Sequence, residues 1–234
     1  MRREQAQLLH AQGELAGSPE IVPVPHVEDE TGARLCVRVT PPAAALAETI
    51  PDMPVQEAVT VLDAASAGRW SADRPMSLSD LEAAGGMVST SEARRRWEIL
   101  NRFADPRAES PGESRSRVLI AQLGFACPRL QEPIPLGRSR TVRVDFYWPE
   151  AAVVGEFDGR MKYLRSGELS GLSVEEVVYQ EKLREDGLRE RGLRVARWGW
   201  DELAKPERLA AKLRRAGVPQ RDPSTPAPLP GIEG

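Results

Sequence analysis

Apolar residues recur at helical spacing through the first half of the chain. After Pro54, one helix face carries five of them: Val55, Ala58, Val59, Leu62 and Ala65. Further helices are predicted over residues 77–84 and 91–104. Together these elements predict a small helical module over residues 37–107. The acidic, proline-interrupted residues 1–36 have no such period, so we expect a poorly ordered N-terminus there.

The pattern changes after residue 107. Ser110-Pro111-Gly112-Glu113 has the form of a capping box and opens a helix. Strands are then predicted over 129–135, 141–148 and 152–157, followed by a helix over 173–192, a strand over 193–198 and a helix over 207–216. This order predicts an α/β domain over residues 108–216, with a central mixed sheet flanked by helices. Residues 217–234 are rich in proline, and we expect a disordered tail.

Composition excludes several classes of protein. With 41% hydrophobic and 29% charged residues, the 234-residue chain is typical of a soluble globular protein, and it lacks an apolar run long enough to cross a membrane. The first residues do not lead into a signal region, so a cytoplasmic protein is expected. Cys36 and Cys127 stand alone, which argues against a disulfide framework or a Cys/His zinc site. The net charge of −3 neither requires nor excludes a nucleic-acid partner.

Three carboxylates stand at or near the ends of two apolar strands. Asp145 lies in the run Val142 to Phe146, where alternation places Val142, Val144 and Phe146 on one face and Asp145 on the other. Glu156 and Asp158 end the next run, two residues apart. A single such acid can simply face solvent at an edge strand. Three converging acids repel one another when buried, and oxygen ligands of this kind suit Mg²⁺ or Mn²⁺.

The long helix brings a second group of charges. Glu181 and Arg184 lie on the same face as Val177 and Leu188, an otherwise apolar stripe. They can form an ordinary intrahelical ion pair, or Arg184 can reach the acidic strand ends and offer donors to a phosphate. Both interpretations stay open at this point.

Other candidates also have two interpretations. The capping box alone accounts for Glu113. Lys162 is either a solvated loop lysine or a charge that stabilises developing negative charge. Trp198 and Trp200 flank a strand-to-helix junction, and their position favours core anchors over platforms for stacking bases.

Four ordered motifs resemble a known family. They are Glu113-Ser114-x-Ser116-Arg117, Arg143-Val144-Asp145-Phe146, Glu156-Phe157-Asp158-Gly159-x-x-Lys162 and Glu181-x-x-Arg184-x-x-x-Leu188-x-x-x-Gly192, and Val195-x-Arg197-Trp198 follows them. Residues 108–216 thereby resemble the very-short-patch-repair-like endonuclease-related domains of the PD-(D/E)XK restriction-endonuclease-like superfamily. This resemblance implies a restriction-endonuclease-like fold and metal-dependent phosphodiester hydrolysis.

The resemblance also assigns roles to residues. Asp145 matches the acid of the first active-site strand, Glu156 the acid of the second, and Glu113 the acid on the preceding helix. Asp158 stands where the superfamily usually has lysine, and Lys162 where related domains have histidine. The implied catalytic set is Glu113, Asp145, Glu156, Asp158 and Lys162. In this set Asp145, Glu156 and Asp158 hold Mg²⁺ or Mn²⁺. Arg143, Lys162 and Arg184 contact nucleic acid, and Glu181 supports them.

Similar domains occur in actinobacterial abortive-infection type IV antitoxin-like proteins. Residues 37–105 of this chain resemble the middle portion of those proteins. The leading hypothesis from sequence is therefore a metal-dependent nuclease whose expected substrate is nucleic acid, with DNA preferred over RNA as the candidate. No membrane partner is expected. The alternative is a non-catalytic nucleic-acid-binding protein, or a regulator of toxin–antitoxin or phage-defence systems, on the same fold. A homodimer or a defence-system partner stays open.

Overall fold

The computed structural model describes residues 20–28, 32, 34–69, 76–137, 140–159 and 174–229. An N-terminal ribbon and four helices come first: β1 (Glu20–Glu28), β2 (Arg34–Val39), α1 (Pro42–Thr49), α2 (Val55–Ser66), α3 (Leu78–Met87) and α4 (Ser91–Phe103). The second half contains α5 (Pro111–Gln122), β3 (Arg129–Pro135), β4 (Thr141–Trp148), β5 (Val153–Phe157), α6 (Val174–Glu190), β6 (Arg194–Trp198), α7 (Trp200–Leu203) and α8 (Pro206–Ala216).

The second half is built around a four-stranded mixed sheet with the order β3-β4-β5-β6. The β3–β4 and β4–β5 pairs are antiparallel, and the β5–β6 pair is parallel because α6 connects these two strands. On one face, Leu119 and Ile120 of α5 pack with Leu213 of α8. On the other face, Leu188 of α6 packs against Val154. The predicted α/β fold, a mixed sheet flanked by helices, is confirmed.

Strand β4 does not present one apolar face along its whole length. Val142 and Val144 pack with Val154 on the α6 side of the sheet. Phe146 instead packs with the α5 and α8 side chains on the opposite side. The prediction that Val142, Val144 and Phe146 share a face is therefore wrong, because the strand changes face at Asp145. The neighbouring strand is also irregular at this level, where Gln131 has a left-handed φ of 53°.

The helical module has its own core. Trp97 and Leu100 of α4 pack with Leu62 of α2 and Leu81 of α3. Capping explains where two of these helices begin: the Ser77 hydroxyl accepts from the Asp80 N–H, and the Thr90 hydroxyl accepts from the Ala93 N–H. Val118 of α5 also belongs to this core, so α5 packs against both the module and the sheet.

A buried ion pair joins α5 to the module. The Arg117 guanidinium lies 2.7 Å from Asp63 Oδ2, and the Asp63 side chain is fully buried. The Asp105 N–H donates to the other Asp63 oxygen at 2.7 Å, and Arg117 also donates to the Phe103 carbonyl. Burial raises the pKa of Asp63, against the opposing effect of Arg117. Both charges are thus neutralised inside the protein.

The N-terminal ribbon is a correction to the sequence analysis. Residues 20–28 and 34–39 pair as antiparallel strands, with Glu20 opposite Val39 and Pro23 opposite Cys36, although we expected residues 1–36 to be poorly ordered. Prolines are tolerated in β1 because, among the described strands, it pairs with β2 alone. Residues 1–19 lie outside the described part of the chain.

The C-terminal segment is a second correction. Instead of a disordered tail from residue 217, the structure packs residues 217–229 back onto the protein. Val218 is buried in the core beside the sheet, and Leu229 is buried in the core of the helical module. Backbone hydrogen bonds join the Ala126 N–H to the Pro219 carbonyl and the Arg221 N–H to the Gly124 carbonyl. Two isolated apolar residues and these bonds hold a proline-rich segment that has no periodicity of its own.

Among the described helices, none has the length and apolar character needed to cross a membrane.

Candidate active site

The central acids lie where the β4–β5 ladder ends. Its last paired residues are Phe146 and Gly155, so Asp145 and Glu156 stand at the next position of the same register. There the Phe157 N–H donates to Asp145 Oδ2 at 2.9 Å. Both acids are only 8% exposed. The structure therefore brings Asp145 and Glu156 together and excludes the interpretation of Asp145 as a solvent-facing acid.

Glu113 joins this cluster while it also caps α5. Its carboxylate accepts from the Ser110 hydroxyl and from the Glu109 N–H, both at 2.8 Å. The side chain is 3% exposed. The bonds at the start of α5 thus fix the carboxylate beside the strand ends, and the catalytic role of Glu113 stays a prediction.

Close packing sets the position of the α5 N-terminus. A Cβ atom on Gly112 would lie 2.0 Å from Cε1 of Phe157, far inside van der Waals contact. Only glycine lets the helix approach the strand this closely. The helix that carries Glu113 therefore rests directly on the residue that follows Glu156.

Gln131 is a site residue that the sequence analysis missed. Its amide donates to Glu113 Oε2 at 2.8 Å and lies 3.5 Å from Asp145 Oδ1. The left-handed backbone at Gln131 takes it out of the regular β3–β4 register and turns its side chain to the acids. The sequence contains only a weak indication of this role, because Gln131 is a single amide side chain in the run Leu130-Gln131-Glu132.

Arg184 connects α6 to the acids. Its guanidinium donates to Glu156 Oε1 and to the Arg143 carbonyl, both at 2.7 Å. The same guanidinium lies 3.4 Å from Glu181. The intrahelical contact and the reach to the strand end occur together, while the donation to a phosphate stays a prediction. Glu181 also pairs with Arg197 of β6, a contact that the sequence did not predict.

Burial and the charge of Asp145 perturb the pKa values of Glu113 and Glu156. Burial raises the pKa of Glu156 to about 7; the negative charge of Asp145 adds to this effect, and the Arg184 guanidinium opposes it. Burial and Asp145 also raise the pKa of Glu113, against the hydrogen bonds from Glu109, Ser110 and Gln131. Perturbed carboxylates of this kind concentrate at functional sites. Near neutral pH, Glu156 is poised between its protonated and ionised forms.

The remaining predicted residues lie at the margin. Strand β5 ends at Phe157, so Asp158 comes just after the strand, where it lines a cleft with Trp200 and Lys212. The exposed side chain of Arg143 pairs with Glu109 at 2.7 Å. Lys162 lies outside the described residues.

The two tryptophans at the end of β6 differ. Trp198 is buried, and its indole N–H donates to the Ser116 hydroxyl, which confirms it as a core anchor. Trp200 is 42% exposed, so the interpretation as a core anchor does not hold for it.

The strand junction brings two carboxylates together, those of Asp145 and Glu156. In the described part of the chain there is no group of three or more His, Cys, Asp or Glu side chains arranged to hold a metal. However, Mg²⁺ commonly takes only one or two carboxylates and completes its shell with water and substrate phosphate. Arg184 donates to Oε1 of Glu156 at 2.7 Å. Oδ1 of Asp145 has a contact of 3.5 Å to Gln131.

The chain has relatives in Mycobacterium tuberculosis. Over 197 residues it is 30% identical to the uncharacterized protein MT2308 of strain CDC 1551 / Oshkosh and, to the same degree, to the uncharacterized protein Rv2248 of strain ATCC 25618 / H37Rv. The aligned region covers 81% of this chain and 66% of each relative, so the chain spans slightly less than two thirds of their length. No family model matches the chain, and no solved structure matches it.

Proposed function

We propose that this chain is a metal-dependent nuclease-like protein that hydrolyses phosphodiester bonds of nucleic acid, with DNA as the first candidate substrate. One observation carries the proposal: Glu113, Asp145 and Glu156 come from three different elements to one strand junction. Only Arg184 contributes a cationic side chain within hydrogen-bond distance of these carboxylates in the described residues. Burying such a set is costly unless a cation or a function compensates for it. The activity would place the protein in the cytoplasm.

Each residue has a role in this proposal. Asp145 and Glu156, with Asp158 at the margin, would hold Mg²⁺ or Mn²⁺. A bound divalent ion supplies water activation and neutralises charge on the phosphate. Gln131 holds Asp145 and Glu113 at a fixed separation, because it touches both. Arg184 places a guanidinium beside Glu156 with further N–H donors for a phosphate oxygen.

The resemblance to very-short-patch-repair-like domains supports the same assignment. It covers the elements from α5 to α8, and the acids that it pairs, Asp145 and Glu156, lie side by side at the strand junction. The role that it assigns to Lys162 stays a prediction, as do the nucleic-acid contacts of Arg143.

The test is a cleavage assay on the full chain. Purified protein is incubated with plasmid and with single-stranded DNA and RNA, in Mg²⁺, Mn²⁺ or EDTA. We expect cleavage only with the metals, and a loss of at least about a hundredfold in Asp145→Asn, since the metal would lose a charged ligand. Glu150→Gln, an exposed acid in the same region, is the matched control and keeps full activity. Equal cleavage by both variants would refute the assignment.

A second candidate is a non-catalytic nucleic-acid-binding regulator, in a toxin–antitoxin or phage-defence setting. Arg184 favours this alternative, because it already supplies Glu156 with a positive charge. Nucleic-acid binding that needs no metal, with no cleavage under any condition, would support it.

A further inference from the structure

A basic cleft runs along the free edge of the sheet. Within the part of the chain that the structure describes, β6 is the last strand and pairs with β5 alone. A cleft of about 560 Å³ follows it between α6 and α8. Among the described residues, the lining contains five basic side chains and no acidic one: Arg189, Arg194, Arg197, Lys212 and Arg215. The local charge differs strongly from that of the chain as a whole, which is slightly acidic.

A second cleft continues the first toward the acids. Its volume is about 270 Å³, and it shares Arg197 and Lys212 with the basic cleft. Three acids also line it, Asp158, Asp201 and Glu202, and Asp158 follows Glu156 by two residues. The two clefts therefore form one path from the free edge of β6 to the end of β5.

Trp200 stands on this path. It lines the second cleft with 42% of its surface exposed, which is unusual for a tryptophan in a protein of this size. The Phe157 ring packs edge-on against it at 5.2 Å, and the Arg115 guanidinium lies 5.8 Å from its centroid. These neighbours hold the indole in place and leave part of its surface open to a planar ligand.

Protection of an edge strand is the simplest alternative. Basic side chains on a free strand discourage pairing with other chains, and Lys212 donates to the Arg197 carbonyl at 2.9 Å. Arg197 also pairs with Glu185 at 3.2 Å, and Lys212 with Glu202 at 2.8 Å. Edge protection explains the charges on β6. It does not explain Arg215 on the opposite wall, or an open indole between these charges and the acidic strand ends.

We propose that the two clefts bind a single-stranded segment of polynucleotide that leads to the acids. Phosphates lie along Arg194, Arg215 and Lys212, and one unpaired base stacks on Trp200. A base in a duplex is already stacked on its neighbours, so a lone exposed indole favours a single strand or a frayed end. The inference takes its ligand class from the proposed function and adds where that ligand lies and in which form.

Binding can be measured without cleavage. Fluorescence anisotropy in EDTA reports the affinity of the full chain for a labelled oligothymidylate of about twelve nucleotides and for a duplex of equal length. We expect Arg194→Glu with Arg215→Glu to weaken binding of the single strand at least about tenfold. The slope of log affinity against log salt should fall by about 1.4, since two phosphate contacts are lost. Arg95→Glu with Arg129→Glu changes the net charge equally on exposed residues elsewhere, and leaves affinity unchanged.

Trp200 has its own pair of variants. Trp200→Ala should weaken binding of the single strand about tenfold, whereas Trp200→Phe keeps most of the affinity because a ring remains for stacking. Thermal unfolding of each variant shows whether it is folded.

Three results would overturn the inference: equal affinity in the two double variants, no difference between Trp200→Ala and Trp200→Phe, or a duplex that binds as tightly as the single strand. A failure of the proposed hydrolysis looks different. In that case the oligonucleotide binds as described here, while no metal supports cleavage.

Discussion

Two buried groups of charge lie along α5, one at Glu113 in its first turn and one at Arg117 in its middle, and they are built differently. At Asp63, one carboxylate meets one guanidinium, and a backbone N–H binds its second oxygen. At the strand junction, three carboxylates converge while Arg184 pairs with one of them. Burial raises carboxylate pKa values in both places. The first group pairs one carboxylate with one guanidinium and serves stability, whereas the second holds more carboxyl groups than cationic partners, which stability alone does not require.

The strongest test of this contrast removes the charge of Asp63. Asp63→Asn leaves Arg117 buried without its counter-ion, so the free energy of unfolding should fall by about 3–5 kcal/mol in urea denaturation. Glu57→Gln removes an acid from the exposed pair with Arg115 and should cost less than about 1 kcal/mol. Equal losses in the two variants would mean that burial does not distinguish these pairs.

The pH dependence of stability tests the acid junction. The pKa of Glu156 is raised in the folded state, so its contribution to stability is complete below its ordinary pKa near 4.5 and is lost as pH rises through about 7. In metal-free buffer the wild type should lose on the order of 3 kcal/mol over this range relative to Glu156→Gln. Urea denaturation of both proteins at several pH values measures the difference. Parallel pH profiles of the two proteins would show that folding does not raise the pKa of Glu156.

The smallest expected change in stability comes from Asp145→Asn. The asparagine oxygen can still accept from the Phe157 N–H, and the loss of a negative charge lowers the pKa of Glu156. The free energy of unfolding at pH 8 should therefore stay within about 1 kcal/mol of the wild type or increase. A large loss, like that expected for Asp63→Asn, would make Asp145 a structural residue and remove the contrast.

Local signals in the sequence were sufficient to predict the main helices and strands. The capping box at Ser110 gives the start of α5, and the apolar runs give β3 to β6, because both depend on neighbouring residues only. The placement of Asp145 beside Glu156 followed from a hairpin between adjacent strands. These features rest on short-range rules that a single sequence carries.

The features that could not be predicted depend on distant contacts. The change of face in β4 accompanies a left-handed residue in β3, and regular alternation contains no sign of it. Leu229 is buried against a core formed more than a hundred residues earlier in the chain, so its proline-rich surroundings gave the wrong expectation. Arg197 and Trp200 join the candidate surfaces only because β6 is an edge strand and α8 folds beside it.

The contact between Gly112 and Phe157 has a consequence for how this site can evolve. The same phenyl ring supports the start of α5 on one side and the Trp200 indole on another, while the N–H of Phe157 holds Asp145. A methyl group at residue 112 would displace this ring and thereby disturb Glu113, Asp145 and Trp200 at once. The acidic junction and the stacking surface thus both depend on the position of the Phe157 ring. One substitution that adds a single methyl group, without any change of charge, can therefore disrupt both of them together.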